Sequence, residues 1–222
     1  MEILMYFSNI YIMNKFCKKK IALLLVFILV NFCSCNNKGN ESYFTKDEKK
    51  ILYDAVKIFD DIIKTKTENK VGIDSAYKLY FCQFKEGENI EILFDDINNK
   101  NKEISNYLIK LVKNKIFDDI WKCVYESEKK SKNIKQMKLD LKSKSRYINF
   151  LKIKAKKNKY LNEYIKQIEN NDGLSPVCVG MILNNCDKVF LFNDSTDRLI
   201  LAIHYITVVY REKNYAIPCV AP

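Results

Sequence analysis

The chain has 222 residues and a formal net charge of +11; 48% of its residues are hydrophobic, and it carries only 5 Gly and 3 Pro. That apolar content, with 14 Tyr and 13 Phe, excludes a disordered tail, and the scarcity of breakers argues against a strand-and-turn architecture. With one His and no HExxH, CxxC or Gly-rich phosphate loop, the chain lacks the usual marks of a zinc hydrolase or a nucleotide-binding enzyme.

The N-terminus says where the protein goes. Lys15, Lys18, Lys19 and Lys20 precede an apolar run of ten residues, 21–30. A spanning helix needs about 20 apolar residues, so this run is too short to cross a bilayer. A basic start, a short apolar core and a small residue before a cut make a secretory signal. Met13 places that charge next to the start, so translation is expected to begin there, with residues 1–12 outside the true protein.

The run ends at Phe32-Cys33-Ser34-Cys35. This segment resembles the lipobox of bacterial lipoproteins. The resemblance implies cleavage by signal peptidase II before Cys35 and acyl chains on Cys35. Phe32 stands where Leu is usual, and Cys33 where Ala or Ser is usual. The resemblance covers residues 1–35 only; an ordinary cut after Ser34 and an uncleaved anchor are the alternatives. Residues 35–43 then form the lipidated Cys and a polar tether. In such proteins an Asp after the acylated Cys retains the protein at the inner membrane; Asn36 here favours the outer membrane.

Residues 44–222 read as a single helical domain. Thr45-Lys46-Asp47-Glu48 is a capping box, and Ile51, Leu52, Ala55, Val56, Phe59, Ile62 and Ile63 share one helical face as far as residue 66. Further helices are predicted over 74–84, where crowded aromatics make a strand the alternative, and over 89–97, 104–112 and 116–125, the last with Phe117, Ile120, Trp121 and Val124 inward. Residues 127–137 read as a basic loop. Helices over 143–155 and 159–169 follow. Ser175-Pro176 opens a helix that Asn184-Asn185 closes. Asp194-Ser195 caps the last helix, 196–209, which is apolar nearly all round and therefore belongs at the centre. The expected fold class is all-α: an irregular multi-helix bundle or helical-hairpin stack behind an N-terminal signal segment. Phe-Asp-Asp-Ile recurs at residues 59, 94 and 117 without a fixed period, so no solenoid repeat is implied.

Charge is unevenly spread. Residues 129–159 hold 13 Lys or Arg against one acid, Asp140. Lys129, Lys130, Lys132, Lys135, Lys152, Lys154, Lys156, Lys157 and Lys159 are the candidates for contact with an anionic surface. Export argues against nucleic acid, leaving anionic lipid, a cell-wall polymer or an acidic protein; a solvated Lys-rich face is the simpler explanation.

Cys178 and Cys186 are the closest cysteines in the mature chain. Eight residues of straight helix span about 12 Å, beyond the roughly 7 Å that a disulfide permits, so they can pair only if the helix stops between them. Two buried thiols are the alternative. His204 lies in the most apolar helix and reads as a core residue. No catalytic, cofactor-binding or metal-binding residue is assigned. The sequence supports a lipid-anchored envelope protein that acts by binding. Alternatives are an immunity lipoprotein that neutralises a toxin, and an envelope enzyme of unknown class.

Overall fold

A computed structural model describes residues 43–68, 70–82, 84, 90–127, 135–213 and 215, which belong to one compact unit, Ser42–Pro222. The expected signal segment, Cys35 and the tether as far as residue 42 lie outside the described residues.

The described chain is mostly helical. The Thr45 hydroxyl accepts from Glu48 N at 3.2 Å while the Glu48 carboxylate accepts from Thr45 N at 2.7 Å, completing the expected capping box. It opens α1 (Lys46–Leu52), followed after Tyr53 by α2 (Asp54–Lys66). Next come α3 (Ile73–Cys82), α4 (Ile90–Asn99) and α5 (Asn101–Lys113). Their predicted inward faces are buried: Phe59, Ile63, Tyr77, Tyr80, Phe81, Ile104 and Leu108 are all below 4% exposed.

The expectation of an all-α fold fails at residues 116–141. Phe117–Asp119 form one 3-10 turn, and the chain then enters an antiparallel hairpin of β1 (Trp121–Ser127) and β2 (Lys135–Leu141). Phe117, Ile120 and Trp121 are buried as predicted, but a helix is not what buries them. Trp121 faces Leu141, Cys123 faces Leu139 and Tyr125 faces Met137, so apolar residues of both strands share one face. The alternation Met137-Lys138-Leu139-Asp140-Leu141 is a strand pattern that nothing N-terminal to it can replace. Once β2 lies against the core, the aromatic and branched residues of 121–125 gain a ladder as well as burial, and the helix loses.

After the hairpin come α6 (Arg146–Ala155), α7 (Lys159–Asn170), α8 (Pro176–Val189) and α9 (Ser195–Glu212). Every residue from Leu199 to Tyr210 is buried, so α9 is indeed the central helix. It packs against β2, α2 and α4. Trp121 Nε1 donates to Thr207 Oγ1 at 2.7 Å, tying the hairpin to it, and Phe81 stacks on Tyr205 at 5.3 Å. Each fully buried aliphatic or aromatic side chain stabilises the fold by about 1.5–3 kcal/mol before entropy is counted. That is why one helix buried on all sides organises the rest.

Candidate functional site

The clearest polar construction in the domain surrounds Arg146. Ser145 caps α6 by accepting from Ile148 N at 3.2 Å, which fixes Arg146 at the first helical position. From there its Nε and Nη2 donate to the Tyr43 carbonyl at 2.9 and 2.6 Å. Nη1 and Nη2 grip both Glu48 oxygens at 3.1 and 2.8 Å, and Nη1 reaches Asp119 at 2.8 Å. The guanidinium also covers the Phe44 ring at 4.7 Å. Its hydrogen bond is the main reason the Glu48 carboxyl sits below the usual range. Partial burial pushes the Asp119 carboxyl up against that same cation. One arginine therefore holds the first described residues of the domain onto α1, α6 and the 3-10 turn. The cleft beside it, about 440 Å³, is lined by Asp118, Lys142, Lys144, Asn149, Lys152 and Glu169.

The basic stretch does not form one uniform face. Lys129, Lys130 and Lys132 lie outside the described residues; Lys135 starts β2, and its side chain is outside them as well. Lys152 pairs with Glu169 at 2.6 Å. Lys154 bridges Asp194 and Asp197, reaching Asp197 at 3.2 Å, and both interactions hold its charge on. Both lysines pair with acids brought in by other elements, Lys152 in an exposed pair and Lys154 in a half-buried one. Lys156, Lys157 and Lys159 are exposed and have no acidic partner among the described residues. Lys159 lies over the Tyr160 ring at 5.0 Å.

Those three lysines occupy the α6–α7 turn, which is tightly held. Asn158 caps α7 by accepting from Tyr160 N and Leu161 N at 3.1 and 3.0 Å, and its amide donates to the Val189 carbonyl at 2.6 Å. The turn is thereby pinned to the last residue of α8, where the α8–α9 loop begins. In that loop Phe190 and Phe192 are buried and Leu191 between them is 67% exposed. Leu191 N donates to Asp197 Oδ2 at 2.8 Å, and Asp194 N to the Leu191 carbonyl at 2.8 Å. Sequence reading missed Leu191; the in-out-in order of Phe190-Leu191-Phe192 was the signal for it.

Cys178 and Cys186 are buried and are not joined to each other by a disulfide. Asn185 does leave helical geometry, at φ −124° and ψ 15°, where the sequence placed the stop, but this is a kink after which helical turns resume as far as Val189, and both thiols stay on the kinked element. Cys123, by contrast, is disulfide-bonded.

His204 is completely buried on α9. Tyr164 Oη lies 3.0 Å from its Nδ1, while Nε2 has no hydrogen-bond partner among the described residues. Burial drives its pKa down to about 3, so the imidazole is neutral. Among the described residues no cluster of His, Cys, Asp and Glu has the makings of a metal site.

A second surface feature is apolar. Val71, Leu79 and Ile92, at 39%, 60% and 42% exposure, line a groove of about 570 Å³ together with Thr67 and Tyr80. Comparison with known protein families, with curated proteins and with solved structures finds no match to this chain.

Proposed function

We propose that this is a lipid-anchored protein of the bacterial cell envelope, acylated at Cys35, that acts by binding. The observation that carries the reading is the Arg146 clamp. Only seven residues lie between Cys35 and Tyr43, and Tyr43 is the residue whose carbonyl Arg146 seizes. A short polar leash that ends in a fixed attachment suits a domain held close to a bilayer. The disulfide-bonded Cys123 favours an oxidising compartment outside the cytoplasm. The exposed lysines of the basic stretch favour an anionic surface as one partner. Labelling cells with an alkyne fatty acid tests the anchor: wild-type protein takes up label and the Cys35→Ala variant does not. Equal labelling refutes it.

A protein partner is the second reading, and the Val71–Leu79–Ile92 groove favours it, since clustered exposed apolar residues mark interaction surfaces. An immunity lipoprotein is one such case. A pull-down from envelope extracts that captures a single toxin tightly supports it, and loss of capture on Leu79→Asp places the contact in the groove.

A further inference from the structure

We infer that the α6–α7 turn and the α8–α9 loop together form a membrane-docking tip, in which Lys156, Lys157, Lys159 and Lys188 meet lipid phosphates while Leu191 enters the headgroup layer. The proposal rests on the anchored reading above and specifies which surface of the domain meets the bilayer.

Three observations carry it. The first is charge: all four lysines, in the α6–α7 turn and at the adjoining ends of α7 and α8, are exposed, and over residues 156–159 and 187–194 Asp187 is the only exposed acid, Asp194 being half-buried and paired with Lys154. Among the described residues none of the four lysines has an acidic partner, so complementarity to an anionic lipid surface is local. The second is apolar exposure on a rigid mount. Leu191 is the most exposed large hydrophobic residue described, yet its backbone is held at both ends, to Asp197 and to Asp194. A floppy leucine would fold back onto the surface; one flanked by two buried phenylalanines cannot. Lysines around a projecting apolar side chain are the composition of interfacial anchors.

The third observation is reach. The tether enters the domain at Arg146, the first residue of α6, and the turn begins at Lys156 at the other end of that helix. Ten residues of helix span about 15 Å. The eight peptide steps from Cys35 to Tyr43 allow a span of at most about 27 Å when fully extended. The leash is long enough for acyl chains and tip to sit in one bilayer. Once the acyl chains hold the domain there, the tip's own modest affinity acts at high effective concentration.

The test uses unacylated protein, residues 36–222, and vesicles of phosphatidylcholine with or without phosphatidylglycerol. Wild type sediments with the anionic vesicles and not with the neutral ones. Each lysine contributes about fivefold in partitioning, so Lys157→Gln with Lys159→Gln lowers binding about 25-fold. Leu191→Ser lowers it about tenfold. Lys113→Gln with Lys115→Gln removes equal charge at the end of α5 and just after it, and leaves binding within about twofold. The native Trp121 is buried, so in a Leu191→Trp variant the new indole reports insertion: brominated lipid quenches it in the bound state. An equal loss from the Lys113 and Lys115 pair, an unquenched indole in bound protein, or binding to soluble anionic polymer without binding to vesicles overturns the tip. Fatty-acid labelling of Cys35 is read separately, so a failed tip with a labelled Cys35 leaves the anchor standing, and the reverse leaves the tip standing.

Discussion

Acidification from pH 7.5 to pH 5 is expected to cost the fold about 2 kcal/mol through His204 alone. The folded pKa of this residue is about 3, against 6.5 in an unfolded chain, and burial is the cause. Folded protein keeps the ring neutral throughout that range, while the unfolded chain takes up a proton as pH falls through 6.5. The contribution is therefore complete above pH 6.5 and is lost on the acid side, at about 1.4 kcal/mol per unit. At pH 5 the unfolded chain is almost fully protonated at this site, which gives the figure of about 2 kcal/mol. His204 is the chain's only histidine, so no second imidazole shares the window. Asp60, Asp119 and Asp197 act in the opposite direction, because burial raises their pKa values and lets the folded state bind protons as pH falls. A comparison between two proteins cancels them. Urea unfolding of wild type and His204→Gln at pH 7.5, 6 and 5 is the assay. With an m-value of about 2 kcal/mol/M, the wild-type midpoint falls by about 1 M more than that of the variant. The offset between the proteins at pH 7.5 is irrelevant; only the difference in slope counts. Parallel pH dependence in the two would show that His204 is protonated in the native state, and that the seal around α9 is not what it is described to be.

Gly173→Ala is expected to destabilise by about 3 kcal/mol, read by thermal or urea unfolding. Gly173 has φ +150°, and an added Cβ would fall 2.7 Å from Asp140 Cγ. Asp140 cannot move aside, because its Oδ1 already accepts from Leu141 N and Leu174 N at 2.8 and 2.7 Å. A loss below about 1 kcal/mol would mean this loop is not held as described. Arg146→Gln should cost about 1–2 kcal/mol, modest because the side chain is 38% exposed and solvent screens its ion pairs. Its sharper signature is faster amide exchange at Phe44 with slow exchange retained along α9; unchanged exchange at Phe44 would refute the clamp. Glu48 adds a pH dependence to this variant. Its folded pKa is depressed, so its bond to Arg146 contributes above pH 4.5, and the gap between variant and wild type narrows as pH falls through the folded value.

Much of the helical framework was legible because its signals are local. The Thr45 capping box, the Ser175-Pro176 start and the apolar face of α7 at Leu161, Tyr164, Ile165 and Ile168 each depend on residues within two turns of one another. The identity of α9 as the central helix could also be read in advance, since a helix apolar all round has no side to give to water. The hairpin could not be read from one strand. Phe117, Ile120, Trp121 and Val124 fit a helical face, and only pairing with Leu139 and Leu141, across residues distant in sequence, makes the strand the better burial.

Of the candidate surface, the sequence by itself determined which residues bear charge. Tertiary structure decided which charges remain available. Lys152 and Lys154 look identical to Lys156 and Lys157 in sequence, but Glu169, Asp194 and Asp197 arrive from other helices and consume the first pair alone. It also decided that Cys178 and Cys186 stay apart, since a single non-helical residue at Asn185 kinks α8 without ending it. The reason is common to all three cases. Helix formation is governed by neighbours along the chain, whereas ion pairing, strand pairing and disulfide geometry depend on distances that only packing sets.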